Sequence, residues 1–404
     1  MGKGKTAERI LVILLVLALG FAGGTARLRP NALSVPTQPT PAATQQETSP
    51  PTAAEQPSAK APEETAAIPE TVITPTPETP APAPEPERYI LHFVGDCTLA
   101  SDAYHKGGPD GYDTVINGDF SYPFAKTVQF FADDDFTMAN LECALTESTS
   151  ARNKTYVYKA GAEYAQIMTE GSVEFVTLAN NHVLDYGQQG YDDTKAAVEA
   201  VGLGYAGRDE WAIYETDRGM KIGVYAVSSF GSYVEDQKGP ELIKKGIAAV
   251  REAGADFVIA ALHFGDEGSY QVNAVQKEQA HAAIDAGADF VYGSHAHTLQ
   301  PCEEYKGRWI YYCMGNWTFG GNTNPRDKDT FILELTVEQA ADGTVTVTDR
   351  EEIPCASSGE TNRNNYQPVP YEPESDGWKR VKSKLDGTFG GANLTIGYGY
   401  TANE

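Results

Sequence analysis

Two histidines, His295 and His297, follow a short apolar run and are separated by one residue. At the spacing of an extended strand, side chains at positions i and i+2 point in the same direction, so the two imidazoles can converge on one point. Neutral imidazole is a common ligand of zinc, iron, manganese and nickel ions. The pair is therefore a candidate metal site, although two unrelated histidines in a surface loop would have the same spacing.

Polar side chains also follow four other apolar runs that are typical of strands. They are Asp96, Asn140, Glu142, Asn180, Asn181, His182, Asp185, His263 and Glu267. In an open α/β sheet, ligands bind beyond the carboxyl ends of the strands, so these residues are expected at one common edge. Any single one could instead cap a helix or face solvent.

Carboxylates, an amide oxygen and imidazoles together form a mixed oxygen and nitrogen ligand set. Such a set favours Mn, Fe, Zn or a similar ion over calcium or a thiolate site. A carboxylate that reaches between two ions about 3.5 to 4 Å apart would allow the two-metal chemistry used on phosphate and related esters.

Strand and helix patterns alternate from residue 89 onward. Apolar runs predict strands at 89–94, 136–140, 175–179, 221–227, 257–262 and 290–292. Helical periodicity predicts helices at 162–170, 188–201, 241–253 and 272–286. This alternation indicates an α/β sheet covered on both faces. Later strands, at 309–314, 330–335 and 344–348, are joined by turns and predict an antiparallel portion, with a separate second sheet as an alternative. A short helix is expected near 378–385.

The first 88 residues are expected to lie outside any core. Residues 1–27 combine a basic start with the apolar run ILVILLVLALGFA, which is the pattern of a signal peptide or a signal-anchor. Residues 28–88 are rich in Pro, Thr, Ala and Glu and predict a disordered, extended spacer. The folded domain is expected at 89–355, with a C-terminal extension at 356–404. The folded part should therefore lie outside the cytoplasm, either membrane-anchored or secreted.

The formal net charge of −25 disfavours nonspecific binding to nucleic acid or anionic membranes. An anionic substrate would need a local positive centre, which bound metal ions can supply. Arg152 and Lys159 could also meet such a substrate.

The five cysteines show no CxxC spacing, which argues against a cysteine zinc site. A disulfide between Cys302 and Cys313 is an open alternative.

Six motifs occur in order between residues 89 and 319: GDCTLA, NLECALT, LANNHVLDYG, HFGDE, GADFVYGSHAHTLQP and YYCMGNWTF. This set resembles the capsule-synthesis proteins of the CapA, or poly-γ-glutamate, type, which are similar to calcineurin-like metallophosphoesterases. The resemblance implies a four-layer α/β/β/α sandwich of the metallophosphoesterase type, with the site at the strand ends. It does not cover the N-terminal 88 residues or the C-terminal tail.

The resemblance also implies one or two divalent metal ions and a ligand set for them. Asp96 and His297 would bind the first ion, Glu142 would bridge both ions, and the second ion would be held by Asn181, His263 and His295. His182 would be the general acid that protonates a leaving group, because its unperturbed pKa lies near neutrality.

Two further residues match family positions, and two positions depart from the phosphoesterase pattern. Glu267 matches the HxGxE position and is expected to support the ligands or to contact the substrate. Asn316 matches the GN position and is expected to form a wall of the pocket. Thr98 stands where the phosphoesterases have a histidine, and Glu142 where they have an aspartate. The first metal ion therefore lacks one imidazole ligand.

Two functions of different classes follow. The first is a cell-surface hydrolase or transferase that depends on metal and acts on a capsule or envelope polymer such as poly-γ-glutamate, or on its phosphorylated precursor. The second is a non-catalytic export or attachment factor that binds an anionic polymer, or a membrane capsule-synthesis complex, through the same pocket.

Overall fold

The computed structural model describes residues 85–229 and 239–394. The predicted export segment, nearly all of the predicted spacer and the last ten residues of the C-terminal extension lie outside these residues. Within the described ranges, no helix has the length and apolar character needed to cross a membrane.

The described residues form two main sheets and a set of flanking helices. The strands are β1 Glu87–Thr98, β2 Phe136–Leu141, β3 Ala144–Leu145, β4 Lys159–Ala160, β5 Phe175–Thr177, β6 Gly204–Ala206, β7 Glu210–Glu215, β8 Lys221–Ser228, β9 Phe257–His263, β10 Phe290–Ser294, β11 Cys302–Tyr305, β12 Arg308–Tyr311, β13 Asn316–Phe319, β14 Asp329–Gln339, β15 Val345–Ala356 and β16 Val369–Pro370. The α-helices are α1 Tyr112–Ile116, α2 Val128–Phe131, α3 Gln166–Glu170, α4 Gly187–Ala200, α5 Pro240–Glu252, α6 Ala274–Asp285 and α7 Asp376–Leu385. Two 3-10 helices cover Tyr122–Phe124 and Ala162–Ala165.

The first sheet has the strand order β16-β15-β14-β1-β2-β5-β6, and β13 also pairs with β1. In this sheet β1, β2, β5 and β6 are parallel neighbours. The second sheet has the order β11-β12-β10-β9-β8-β7, in which β8, β9, β10 and β12 are parallel. Because parallel neighbours end at the same edge of a sheet, each sheet delivers several strand ends to one place.

The strands place alternate side chains in two different cores, as the period of two requires. In β9, Phe257 and Ile259 lie in the core between the two sheets. Val258 and Ala260 lie in the core against α5 and α6. A third core, which includes Val198 of α4, covers the other face of the first sheet. These layers confirm the predicted four-layer α/β/β/α sandwich.

The later strands are divided between the two sheets. β14 pairs antiparallel with both β1 and β15, which confirms the predicted antiparallel portion. These later strands do not form a sheet of their own, because β12 pairs with β10 of the second sheet while β14 joins the first. After β15 the chain forms β16 and α7, whose Val381 and Leu385 enter the core between the sheets.

All five cysteines are free thiols, so the alternative of a Cys302–Cys313 disulfide is also wrong. Cys302 is partly exposed on β11, and the other four thiols are buried. Burial raises the pKa of the Cys97, Cys143 and Cys313 thiols, which makes them poor nucleophiles and metal ligands.

Candidate metal centre

A glycine brings the end of β1 close to the turn before β13. A Cβ atom on Gly95 would lie 2.0 Å from the carbonyl oxygen of Gly315, so a larger residue would force the two segments apart. The amide of Asp96 donates to this same carbonyl at 2.8 Å. The Asp96 side chain is thereby fixed at the buried edge of the first sheet.

Two asparagines orient the carboxylates of the first sheet. Asn140 Nδ2 donates to Asp96 Oδ1 at 2.8 Å and to Glu142 Oε2 at 3.3 Å. Asn180 Nδ2 donates in turn to Asn140 Oδ1 at 3.1 Å and to the Leu141 carbonyl at 2.8 Å. All of these side chains are buried, and the chain of amides holds both carboxylates in one orientation.

The second sheet brings His263 to the same place from the opposite side. Its Nδ1 lies 2.8 Å from Ser294 Oγ, and its Nε2 lies 3.0 Å from Asn181 Oδ1 and 3.6 Å from Glu142 Oε1. The His263 and His295 rings lie 4.7 Å apart, measured between their centroids. Residues from both sheets therefore meet in one cluster.

The loop after β10 holds both histidines of the His-x-His pair in unusual backbone conformations. His295 has a φ angle of 97° and His297 one of 55°, a region that residues other than glycine seldom adopt. Such a conformation costs on the order of 1–3 kcal/mol per residue and concentrates at functional sites. His297 Nδ1 lies 2.9 Å from Asn316 Oδ1 and 3.3 Å from Asp96 Oδ2.

Two overlapping groups of side chains have the spacing of metal ligands. Glu142, His295 and His297 form one group, and Asp96, Glu142 and His263 form the other, with the ligand atoms of each group within 4.8 Å of one another. Glu142 belongs to both groups, and each group joins residues predicted for different ions, His295 with His297 and Asp96 with His263. Glu142 Oε1 is buried and accepts no hydrogen bond from the part of the chain that the structure describes.

The charges of the cluster also fit a bound cation. Burial and the nearby Asp96 carboxylate, with a smaller contribution from Glu267, raise the pKa of Glu142 well above its usual range. Burial and neighbouring imidazoles hold the pKa of His263 and His295 well below theirs, which leaves neutral rings that can ligate a metal ion. Burial alone would lower the pKa of His297, but the Glu142 and Asp96 carboxylates raise it to about 10, so this ring must lose a proton before it can bind a metal ion. A divalent cation would offset the charge of the crowded carboxylates.

The side chain of Thr98, which stands where the phosphoesterases have a histidine, bonds to the backbone. Thr98 Oγ1 donates to the backbone carbonyl of Glu142 at 3.1 Å. This hydrogen bond ties the end of β1 to the segment that follows β2. The ion that the resemblance assigns to Asp96, Glu142 and His297 would therefore gain no imidazole ligand from this position.

His182 lies beside this cluster and is oriented by a carboxylate. Its Nδ1 lies 2.7 Å from Asp185 Oδ2. Asp185 also accepts from the Lys154 ammonium at 2.8 Å and from the Tyr158 amide at 2.8 Å. Burial alone would raise the pKa of Asp185, but His182 and Lys154 lower it, so the group is a carboxylate. Burial lowers the pKa of His182 despite this partner.

The remaining predicted residues lie around the rim or away from it. Glu267 is partly exposed in the loop after β9, and Asn316 contacts His297 as described above. Lys159 donates to the carbonyl of Ser148 at 2.5 Å, so its ammonium is engaged with the backbone. The basic side chain at the cluster is instead Lys154, which also donates to the Asn181 carbonyl at 3.0 Å.

Four side chains of the cluster are given no individual role by the sequence: Asn140, Asn180, Lys154 and Asp185. The sequence places Asn140, Asn180 and Asp185 at the common edge of the sheet, and the spacing of two of them also indicates a partner. Asn140 precedes Glu142 by two residues and so points the same way. Asp185 follows His182 by three residues, a spacing that allows a pair within one turn. Lys154 carried no such signal, because its position depends on how the 147–158 loop returns to the site.

Residues 90–321, more than half of the chain, match the family described as "Bacterial capsule synthesis protein PGA_cap". This chain belongs to that family. The match confirms the predicted capsule-synthesis family, and it contains every residue assigned above to the metal centre and to the His182 pair.

Individual proteins are also similar to this chain. The "PGA biosynthesis protein CapA" of Bacillus subtilis (strain 168) is 27% identical in an alignment 274 residues long that covers 63% of this chain and 70% of that protein. The "Capsule biosynthesis protein CapA" of Bacillus anthracis is 25% identical in an alignment 277 residues long that covers 63% of this chain and 65% of that protein. The match thus spans about two thirds of the length of these relatives. Among solved structures, TT1561 of Thermus thermophilus aligns with a TM-score of 0.36 at 10% identity, over 66% of this chain and 99% of that chain.

Proposed function

We propose that this chain is an extracytoplasmic, metal-dependent hydrolase of capsule assembly. Its substrate would be an anionic envelope polymer such as poly-γ-glutamate, or the phosphorylated precursor of such a polymer. The family to which the chain belongs supports the biological role, and the candidate metal centre supports the reaction class.

One observation carries the proposal: the strand ends of both sheets converge on a single buried cluster of carboxylate, amide and imidazole groups. The residues that would hold one or two ions are Asp96, Glu142, Asn181, His263, His295 and His297. Bound Mn, Fe or Zn would supply Lewis-acid polarisation of an ester or amide oxygen and a water of lowered pKa.

The chain's own acid–base group in this proposal is His182. Because Asp185 accepts the hydrogen bond from Nδ1, the other ring nitrogen, Nε2, is the atom that can pass a proton to a leaving group. The Lys154 ammonium holds Asp185 on its other oxygen. The carboxylate therefore fixes the imidazole ring and stabilises its protonated form.

The direct test is turnover by the purified chain with a defined metal ion. Substrates would be a γ-glutamyl polymer, followed by its chain length, and a panel of phosphorylated compounds. His182→Ala should lower kcat by about 10² to 10⁴-fold, which is the usual contribution of a general acid. His281→Ala is the matched control, because His281 lies on α6 and contacts Glu303 and Tyr305 instead. Turnover that survives metal removal, or that His182→Ala leaves intact, would contradict the proposal.

One observation favours the non-catalytic alternative. Thr98 replaces an imidazole, and its hydroxyl bonds to the backbone, so the first ion has few ligands. A chain with weak or single-ion occupancy could bind an anionic polymer, or a partner in a membrane capsule-synthesis complex, without cleaving it. Polymer binding that persists after metal removal and in His182→Ala, with no turnover of any substrate, would support this second function.

A further inference from the structure

The last described residues of the chain return to the edge of the candidate metal centre. Residues 322–394 lie beyond the family match, which ends at residue 321. Within them, residues 386–394 follow α7 and contact residues 264–271, the loop that carries Glu267. We call residues 386–394 the C-terminal brace and residues 264–271 the Glu267 loop.

The inner side of the Glu267 loop is bonded to the segment that carries the histidine pair. The amide of Gly268 donates at 2.8 Å to the carbonyl of Ala296, the residue between the two predicted histidine ligands. Thr298 Oγ1 donates to the carbonyl of Ser269 at 2.8 Å. A displacement of this loop would therefore move Glu267 relative to the ligands.

The outer side of the same loop is held by the C-terminal brace. The amide of Leu394 donates to the carbonyl of Gly268 at 2.9 Å. Asn393 Oδ1 accepts from the amide of Tyr270 at 3.0 Å. The Phe389 ring packs edge-on against the Tyr270 ring, with their centroids 4.8 Å apart.

A buried ion network fixes the base of the C-terminal brace. Lys384 of α7 is 2% exposed and donates to Asp327 Oδ2 at 2.6 Å and to Asp329 Oδ2 at 2.7 Å. Tyr270 of the Glu267 loop donates through its hydroxyl to Asp327 Oδ2 at 2.7 Å. The helix before the brace and the loop that the brace contacts therefore share one carboxylate.

The Glu267 loop needs such support because of its own sequence. Gly265 has a φ angle of 99° and Gly268 one of 74°. Glycines in this region give an isolated loop many alternative conformations. Contacts on both sides of the loop select one of them.

We propose that the C-terminal brace is a positioning element of the site. Asn393 and Phe389 hold the Glu267 loop against the segment that carries the histidine pair, and so fix Glu267 at the edge of the metal centre. Neither residue touches the predicted ligands; both act through the loop. The expected effect on turnover rests on the proposed function, whereas the expected effect on the loop does not.

The test compares Asn393→Ala with Asn393→Asp in the full chain, purified in a mild detergent. The aspartate keeps an acceptor for the Tyr270 amide, and the alanine removes it. Loss of one ordinary hydrogen bond should speed hydrogen exchange of the amides at 268–270 by about 3 to 10-fold in Asn393→Ala, with exchange close to the wild type in Asn393→Asp. Exchange in β9 should be unchanged in both.

Turnover supplies the second readout. Asn393→Ala should lower kcat/KM, Asn393→Asp should restore it, and Asn393→Ala should add little to the loss caused by Glu267→Gln, since both act through one side chain. Equal exchange at 268–270 in all three proteins would overturn the proposal, as would faster exchange throughout the domain. A wild-type chain without turnover would contradict the proposed function, and the exchange comparison would still decide the role of the brace.

Discussion

Asn140 is the residue whose replacement most sharply tests the charge balance of the site. Its Nδ2 group donates to Asp96 at 2.8 Å and to Glu142 at 3.3 Å, in a buried position. Asn140→Asp replaces this donor with a carboxylate of nearly the same shape. The variant therefore turns an attraction toward two carboxylates into a repulsion.

The size of the effect follows from these distances. Loss of a hydrogen bond to a charged group costs about 1.5–3 kcal/mol. Two full charges about 3 Å apart repel by about 5 kcal/mol at an effective dielectric constant of about 20, and proton uptake relieves much of this repulsion. We expect the metal-free variant to lose about 3 kcal/mol of unfolding free energy, which lowers the melting temperature by roughly 6–9 °C.

The assay is thermal unfolding with chelator and with excess Mn²⁺. A bound cation offsets the added negative charge, so Mn²⁺ should raise the melting temperature several degrees more in Asn140→Asp than in the wild type. Asn322→Asp is the control, because Asn322 is exposed and its Oδ1 accepts from the Asn324 amide, as an aspartate oxygen also would. An equal metal-induced shift in Asn140→Asp and the wild type would refute this account of the site.

Three further predictions concern the rest of the molecule. Asp185→Asn should lower kcat by about 10² to 10⁴-fold with little change in KM, because the His182 ring loses the group that orients it; unchanged steady-state kinetics would count against the pair. Asp329→Asn should cost about 3–5 kcal/mol in urea unfolding at neutral pH, because it takes a charged partner from the buried Lys384. Burial alone would raise the pKa of Asp329, but its arginine and lysine partners lower it. The wild type should therefore lose this stabilisation as the pH falls below about 4, and the variant should not; parallel curves of stability against pH would contradict this. Finally, Cys302 should react first with a thiol reagent in the native chain, since the other four thiols are buried; a rapid phase that survives Cys302→Ser would contradict this exposure.

The main strands could be predicted because their sequences are continuous or alternating apolar runs. β9 is buried at every position, and a parallel strand covered on both faces has that pattern. β7, with the sequence EWAIYE, has no clear strand pattern in its sequence, because it is an edge strand whose residues are mostly half-buried and mixed in polarity. The later strands were predicted as strands, but their division between two sheets depends on pairing over long distances in the chain.

The candidate ligands lie at strand ends, where their residue types predict a metal site, whereas the hydrogen bonds that orient them could not be predicted. The role of Asn140 depends on the register of β1 and β2, which places Asp96 opposite Asn140. The positive φ angle of His295 arises from the loop after β10, and a histidine in the sequence does not predict it. The C-terminal brace reaches the edge of the site because α7, which precedes it, packs against β14 and β15 and into the core between the sheets.

The most direct test of the central claim is the metal content of the purified chain, measured by mass spectrometry after dialysis against Mn²⁺, Fe²⁺ or Zn²⁺. A buried cluster of this composition should hold at least about one ion per chain. Glu142→Gln should lower the metal content strongly, because Glu142 belongs to both groups of candidate ligands. A folded wild-type chain that retains none of the three metals, or a Glu142→Gln chain that retains as much as the wild type, would contradict the account.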